Sequence, residues 1–124
     1  MSKVGSYMTP HPYTIGRDQP VAVASQRMRE HRIRHLPVLD GGRLVGLISD
    51  RDVRLVEALS SEHVKVEEAM SPEPRCVSPD APLKSVVRDM AEHKLGSVLV
   101  VDDNERMLGI FTAIDALKIL ESKL

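Results

Sequence analysis

The chain repeats itself, and that constrains its fold more than any other feature. Tyr7-Met8-Thr9-Pro10 recurs as Ala69-Met70-Ser71-Pro72, an offset of 62 residues. At the same offset Met28 matches Met90, His31 matches His93, Val38 matches Val100 and Asp40 matches Asp102. Beyond the next turn the offset becomes 63. Gly46-Leu47-Ile48-Ser49-Asp50-Arg51-Asp52 then aligns with Gly109-Ile110-Phe111-Thr112-Ala113-Ile114-Asp115. One residue inserted in a loop, Asp40-Gly41-Gly42-Arg43 against Asp102-Asp103-Asn104-Glu105-Arg106, accounts for the slip. The expected organisation is a first repeat at 1–59, a linker at 60–65 and a second repeat at 66–124, folded as one compact module.

Each copy has the same coarse pattern. Tyr13-Thr14-Ile15 and Arg75-Cys76-Val77 read as short strands. The 21–32 stretch places Val21, Ala24 and Met28 at helical spacing, with Pro20 suited to its first turn; 82–94 places Leu83, Val86, Val87, Met90 and Ala91 on one face. Leu36–Leu39 and Leu44–Ile48 flank a Gly-Gly turn, and Ser97–Val101 and Met107–Phe111 flank Asp-Asp-Asn, so both pairs read as hairpins. A last helix follows in each copy, at 50–59 and 113–124. The unit is strand–helix–strand–strand–helix. About 60 residues bury little core alone, so the expected fold is α+β, with two pseudo-symmetric β-α-β-β-α repeats packed through their sheets.

Composition narrows the function classes. There are 17 basic against 18 acidic residues, a formal charge of −1, so nothing drives the chain globally toward nucleic acid or an anionic membrane. Tyr7, Tyr13 and Phe111 are its only aromatics, too few for a base-stacking single-strand binder. Cys76 is the single cysteine, which excludes an internal disulfide and a cysteine-built zinc site; its place between Pro74 and Pro79 reads as a small buried hydrophobe. Met1–Tyr7 lacks the apolar core of a signal peptide, and no apolar run is long enough to span a bilayer, so the expected setting is cytoplasmic. There is no Walker-type loop, no Gly-x-Gly-x-x-Gly and no nucleophile-elbow serine. No catalytic constellation emerges, and the chain is not read as an enzyme. His31 and His35 have the i, i+4 spacing of a metal pair, but Pro37 takes the chain out of the helix, and no metal is expected. Met28, Met70 and Met90 read as packing residues.

Taken together, Met8-Thr9-Pro10 with Met70-Ser71-Pro72, Arg34-His35-Leu36-Pro37-Val38, and the duplicated Gly-apolar-apolar-Ser/Thr-x-x-Asp motif resemble the tandem cystathionine-β-synthase (CBS) domain pair, or Bateman module, over nearly the whole chain. That resemblance implies a disc-like module with a cleft between the repeats that holds up to two ligands, usually adenosine nucleotides such as AMP, ADP or ATP. It implies a regulatory sensor that forms homodimers and acts on a partner protein, without a cofactor. It also makes Thr14-Ile15 and Cys76-Val77 the expected wall of an adenine slot, although by themselves these are short buried strands.

The duplicated motif admits two roles. Ser49 and Thr112 each end a strand and begin a helix, with Asp52 and Asp115 in the first helical turn. One role is a cap, in which the hydroxyl and the carboxylate satisfy the free N–H groups of the helix start. The other is recognition, since a carboxylate can accept from both hydroxyls of a ribose diol while the helix start serves phosphate or ribose oxygens. The two are compatible. The repeats should not bind alike, because Arg32, Arg34, His35, Arg51 and Arg54 align with Lys94, Gly96, Ser97, Ile114 and Leu117. Residues 1–62 carry 9 basic and 7 acidic side chains, residues 63–124 carry 8 and 11. Phosphates are therefore expected at the arginine-rich first repeat, Arg34 and His35 above all, unless these arginines form a solvated face or a dimer contact. The candidate ligand residues are Thr14, Ile15, Arg34, His35, Pro37, Ser49, Arg51, Asp52, Val77, Ser97, Thr112 and Asp115. The competing expectation is a ligand-free interaction or oligomerisation module whose cleft is vestigial.

Overall fold

The computed structural model describes residues 2–59 and 63–124. Their elements in chain order are a 3-10 turn at Val4–Ser6, β1 (Thr9–Pro10), β2 (Ile15–Gly16), α1 (Val21–His31), β3 (His35–Asp40), β4 (Arg43–Ser49), α2 (Asp50–Ala58), α3 (Val66–Ala69), β5 (Ser71–Pro72), β6 (Cys76–Val77), α4 (Leu83–His93), β7 (Ser97–Val101), β8 (Met107–Thr112) and α5 (Ala113–Lys123). The fold is α+β. Both expected hairpins and all four long helices form. The first strands are shorter than Tyr13–Ile15 and Arg75–Val77, each pairing over two residues.

The chain divides into two compact units. A central unit is Tyr13–Pro74; a composite unit joins the segment ending at Pro12 to Arg75–Leu124. The central sheet has the order β2-β3-β4-β5, with β2 parallel to β3 and the other pairs antiparallel. The composite sheet, β6-β7-β8-β1, has the same arrangement. Folded units and sequence repeats are thus offset by one short segment each. The Met8-Thr9-Pro10 segment pairs with β8, where Thr9 faces Ile110, and Met70-Ser71-Pro72 pairs with β4, where Ser71 faces Leu47. Of the expected linker at 60–65, residues 60–62 lie outside the described residues; Lys65 bridges Pro20 in the central unit.

The exchange is specified bond by bond. In the composite unit Val4 N–H donates to the Ala81 carbonyl, Gly5 N–H to Pro79 and Leu83 N–H to Ser2, at 3.0, 2.9 and 2.9 Å. At the 62-residue offset the central unit repeats all three: Val66 to Gln19, Glu67 to Arg17 and Val21 to Val64, at 2.8, 3.0 and 3.0 Å. Val4 and Val66 are completely buried.

Each core lies between sheet and helices; the central one is aliphatic, and the composite one adds the fully buried Phe111. Leu36, Val38 and Ile48 of the central sheet meet Val21, Ala24 and Met28 of α1. Val98, Val100 and Phe111 of the composite sheet meet Val86 and Met90 of α4. The expected packing roles of Met28, Met90 and the partly buried Met70 are borne out. Pro20 stands at the N-cap of α1 rather than inside its first turn. The β3–β4 turn places Gly41 and Gly42 at φ 57° and 84°, the paired left-handed conformation of a two-residue hairpin that glycine adopts without strain. In the longer β7–β8 turn, Asp102 Oδ1 accepts from Asn104 N–H at 2.8 Å and Arg106 N–H at 2.9 Å, closing an Asx turn around the inserted residue.

Candidate functional site

Helices α2 and α5 begin with the same hydrogen-bonded constellation. Ser49 Oγ accepts from Asp52 N–H at 3.2 Å; Asp52 Oδ2 accepts from Ser49 N–H at 2.8 Å and from Ser49 Oγ at 3.0 Å. Thr112 Oγ1 and Asp115 repeat this at 3.2, 2.9 and 3.1 Å. Both are complete capping boxes, so the capping role is established in each repeat. It consumes one carboxylate oxygen. Among the described residues, Oδ1 of Asp52 and Oδ1 of Asp115 accept no hydrogen bond. Both aspartates are half-buried, so each presents a fixed, open acceptor beside a helix N-terminus.

The strand beside each box supplies a neighbour. His35 faces Ser49 in the β3–β4 register, and Ser97 faces Thr112 in the β7–β8 register. His35 is held below its ordinary value by burial, which outweighs the opposing pull of Asp50 and Asp52, while Arg34 adds to the depression. Neutral imidazole therefore predominates at pH 7, able to donate from one nitrogen and accept at the other. Ser97 is only 5% exposed, and its Oγ is buried with no hydrogen-bond partner among the described residues. Such a hydroxyl lacks a partner that folded proteins nearly always provide.

The structure thus gathers His35, Ser49 and Asp52 in the central unit and Ser97, Thr112 and Asp115 in the composite unit. The remaining predicted residues are arranged differently. Ile15 faces Val38 on the opposite side of β3 from β4, and its side chain is core. Thr14 is half-buried, and its carbonyl already accepts from Arg27 Nη1 at 2.7 Å. Pro37 is fully buried, and Val77 packs against the composite core. Cys76 is an exposed residue, correcting the expectation of a buried hydrophobe. Partial covering of its thiol and the Glu105 carboxylate both hold it above its ordinary range. The repeat explains the error: Cys76 is the counterpart of Thr14, whereas Val77 is the counterpart of buried Ile15.

The arginine cluster also separates. Arg34 and Arg54 line a groove between α1 and α2 together with Arg29, which the sequence reading passed over. Arg51 is exposed and does not line that groove. His31, instead of joining His35, stacks on Tyr13 with ring centroids 3.7 Å apart and planes at 10°. Among the described residues no three His, Cys, Asp or Glu side chains are grouped to hold a metal ion, and no helix is long and apolar enough to cross a membrane.

A second feature missed in the sequence explains the motif's glycine. A Cβ on Gly109 would stand 2.6 Å from Met8 Sδ and 2.7 Å from the Thr9 carbonyl oxygen. One on Gly46 would run into Met70 Sδ and stand 3.0 Å from the Ser71 carbonyl. Each Met-Thr/Ser-Pro segment therefore seats its methionine over the glycine of the motif it pairs with. The two halves of the repeated signature are one packing unit, and their pairing was visible in the sequence only as co-occurrence.

The CBS domain family matches residues 4–58 and 66–122. Among curated proteins, the inosine-5′-monophosphate dehydrogenase of Korarchaeum cryptofilum is 30% identical over 93% of this chain, which spans 24% of that enzyme. The chain spans 40% and 22% of two other curated relatives. Among solved structures, the CBS-domain pair of protein MJ0100, in complex with 5′-methylthioadenosine and S-adenosyl-L-methionine, superposes with a TM-score of 0.87 at 28% identity, covering 100% of this chain and 99% of that one. CBSX2 of Arabidopsis thaliana, in complex with AMP, superposes with a TM-score of 0.85 at 28% identity, covering all of both chains. Two family matches in tandem, each ending in a Ser/Thr–Asp capping box at the start of its last helix, make this chain a member of the CBS-domain family, a tandem CBS-domain pair.

Proposed function

We propose that this chain is a regulatory module that binds an adenosine nucleotide and thereby acts on a partner protein. The observation that carries it is the duplicated Ser/Thr–Asp constellation at two helix starts, in which Oδ1 of Asp52 and of Asp115 stays open to accept from a ribose hydroxyl. Asp52 and Asp115 are the ribose acceptors, with Ser49, Thr112 and the adjacent N–H groups serving ribose or phosphate oxygens. His35 and Ser97 are the polar neighbours, and the buried Ser97 hydroxyl gains a hydrogen bond when the ligand arrives. Thr14, Ile15 and Val77 contribute backbone and apolar contact to the base. Arg34, whose charge acts on His35, belongs to the phosphate end, and Pro37 fixes the strand that follows it. MJ0100 and CBSX2, which carry adenosine compounds, support this ligand class.

The module works by binding and not by catalysis, in the cytoplasm, as a homodimer. Ile114, Leu117 and Leu120 on α5, 49%, 57% and 53% exposed, support self-association. That a similar stretch makes up a quarter of a dehydrogenase supports a role exerted on something else. Thermal melts with AMP, ADP, ATP and S-adenosylmethionine test the proposal. A ligand at 100 times its dissociation constant stabilises the fold by about 2.7 kcal/mol. At least one of the four should raise the melting temperature; no shift from any of them at millimolar concentration would leave the ligand-free interaction module as the account.

A further inference from the structure

His35 and Ser97 hold the same place in the two repeats. His35 opens β3 and faces Ser49, and Ser97 opens β7 and faces Thr112, so each stands beside a capping box. Among the described residues neither side chain has a hydrogen-bond partner, and Ser97 Oγ is the one buried side-chain polar atom left without one. An unpaired polar group thus recurs at the strand position that adjoins both copies of the motif. Folded chains pair such groups, so the missing partner points to one supplied from outside.

The two residues differ in what they do with a proton. Serine donates and accepts without changing charge, whereas a protonated imidazole is a cation with two donors. The charged groups acting on His35 are Asp50 and Asp52 from α2 and Arg34 beside it in sequence; its β4 neighbour, Ser49, is uncharged. Both carboxylates are engaged elsewhere. Asp50 Oδ2 accepts from Arg54 Nη2 at 3.1 Å, and Asp52 Oδ2 closes the capping box. An imidazolium at this place would therefore have no ion-pair partner of its own within the described residues, and it would stand beside the Arg34 charge. An anion at the start of α2 reverses that balance, because it accepts a charge-assisted hydrogen bond and offsets both cations. In the second repeat Arg34, His35 and Asp50 become Gly96, Ser97 and Ala113, while the box residues remain as Thr112 and Asp115. The motif keeps its ribose acceptors in both repeats and its ionisable surroundings in one.

We infer, resting on the nucleotide reading of this motif, that the central unit takes up a phosphate-bearing adenosine ligand together with one proton, held on His35, whereas the composite unit, with Ser97 in that place, binds without one. The proton comes from solvent and occupies the second ring nitrogen, which then donates to a phosphate oxygen. Affinity at the central unit therefore rises as pH falls, and the occupancies of the two units diverge with pH.

The assigned His35 Cε1–H NMR signal of the wild-type chain, titrated alone, with saturating AMP and with adenosine, tests this. AMP should raise the His35 midpoint by about one pH unit or more, and adenosine, which lacks the phosphate, should not raise it. This arm does not depend on a variant folding. Calorimetry between about pH 7 and 8, where a phosphomonoester with a second pKa near 6 stays ionised, gives the second arm. One AMP site of the wild type should weaken about threefold or more over that interval, and the dependence should vanish in His35→Ser. An unmoved or lowered midpoint with AMP bound, an equal rise with adenosine, or the same pH dependence in a folded His35→Ser variant would overturn the proton coupling and leave the nucleotide reading standing. Failure of AMP to bind the wild type at any pH would overturn both.

Discussion

Asp52 and Asp115 each divide two oxygens between two tasks. Oδ2 closes the capping box and Oδ1 stays open, so capping and recognition can be separated by substitution. Ser49→Ala or Thr112→Ala removes the hydroxyl acceptor of the N3 amide and should cost about 1 kcal/mol, read as a lower urea midpoint with an unchanged slope. His35 supplies a pH-dependent contribution. Burial depresses its folded-state value below the ordinary one near 6.5, so the unfolded chain takes up the proton first. The stability it contributes is complete above about pH 6.5 and is lost as pH falls toward the folded-state value. The melting temperature should therefore drop as pH falls below about 6.5, and His35→Ser, which copies Ser97, should flatten that drop; parallel profiles would refute the assignment. Much of this scale was legible in advance. Both boxes follow from Ser/Thr-x-x-Asp spacing at a strand end. The orphaned Ser97 hydroxyl was not, because serine's burial depends on which face of β7 it occupies.

Among the elements, the long ones were readable, the short strands β2 and β6 were placed within a residue or two, and the other short ones were not. Helical spacing over eleven residues marks α1 and α4, and apolar runs around Gly41-Gly42 mark a hairpin. Two-residue strands and a four-residue helix have no period to read, so β1, β5 and α3 stayed hidden although they carry the segment exchange. That exchange makes a directional prediction. Val4→Ala and Val66→Ala should each cost about 2 kcal/mol through lost burial. Hydrogen exchange should quicken first in β7 and β8 for Val4→Ala and first in β3 and β4 for Val66→Ala; the reverse assignment would contradict the pairing. Gly109→Ala should destabilise by roughly 1–3 kcal/mol, with only partial rescue by Met8→Ala, because the Thr9 carbonyl remains at 2.7 Å. Equivalent positions also find different solutions. Where the central unit stacks Tyr13 on His31, the composite unit links Arg75 to Asp89 at 2.6 Å and Asp89 to His93 at 3.0 Å.

For the whole molecule, duplication fixes the scaffold and divergence sets the chemistry. Cores, caps and exchanged segments are retained at offsets of 62 and 63, whereas the charged groove on α1 and α2 has become an apolar surface on α4 and α5. Near-neutral net charge conceals this, because the basic excess belongs to residues 1–62 and the acidic excess to 63–124. The tandem family was legible from two signatures in register; the division of the arginines was not, because side chains adjacent in sequence on α2 point to different faces. The central claim is that the open carboxylate oxygens hold an adenosine ligand, and calorimetric titration of AMP into the wild-type chain and an Asp52→Asn/Asp115→Asn variant tests it most directly. Asparagine retains one carbonyl oxygen for the capping box and replaces the other acceptor by an NH₂ donor. The account predicts saturable binding by the wild type and its loss in a variant that still melts cooperatively. Equal AMP affinity in both proteins would contradict it.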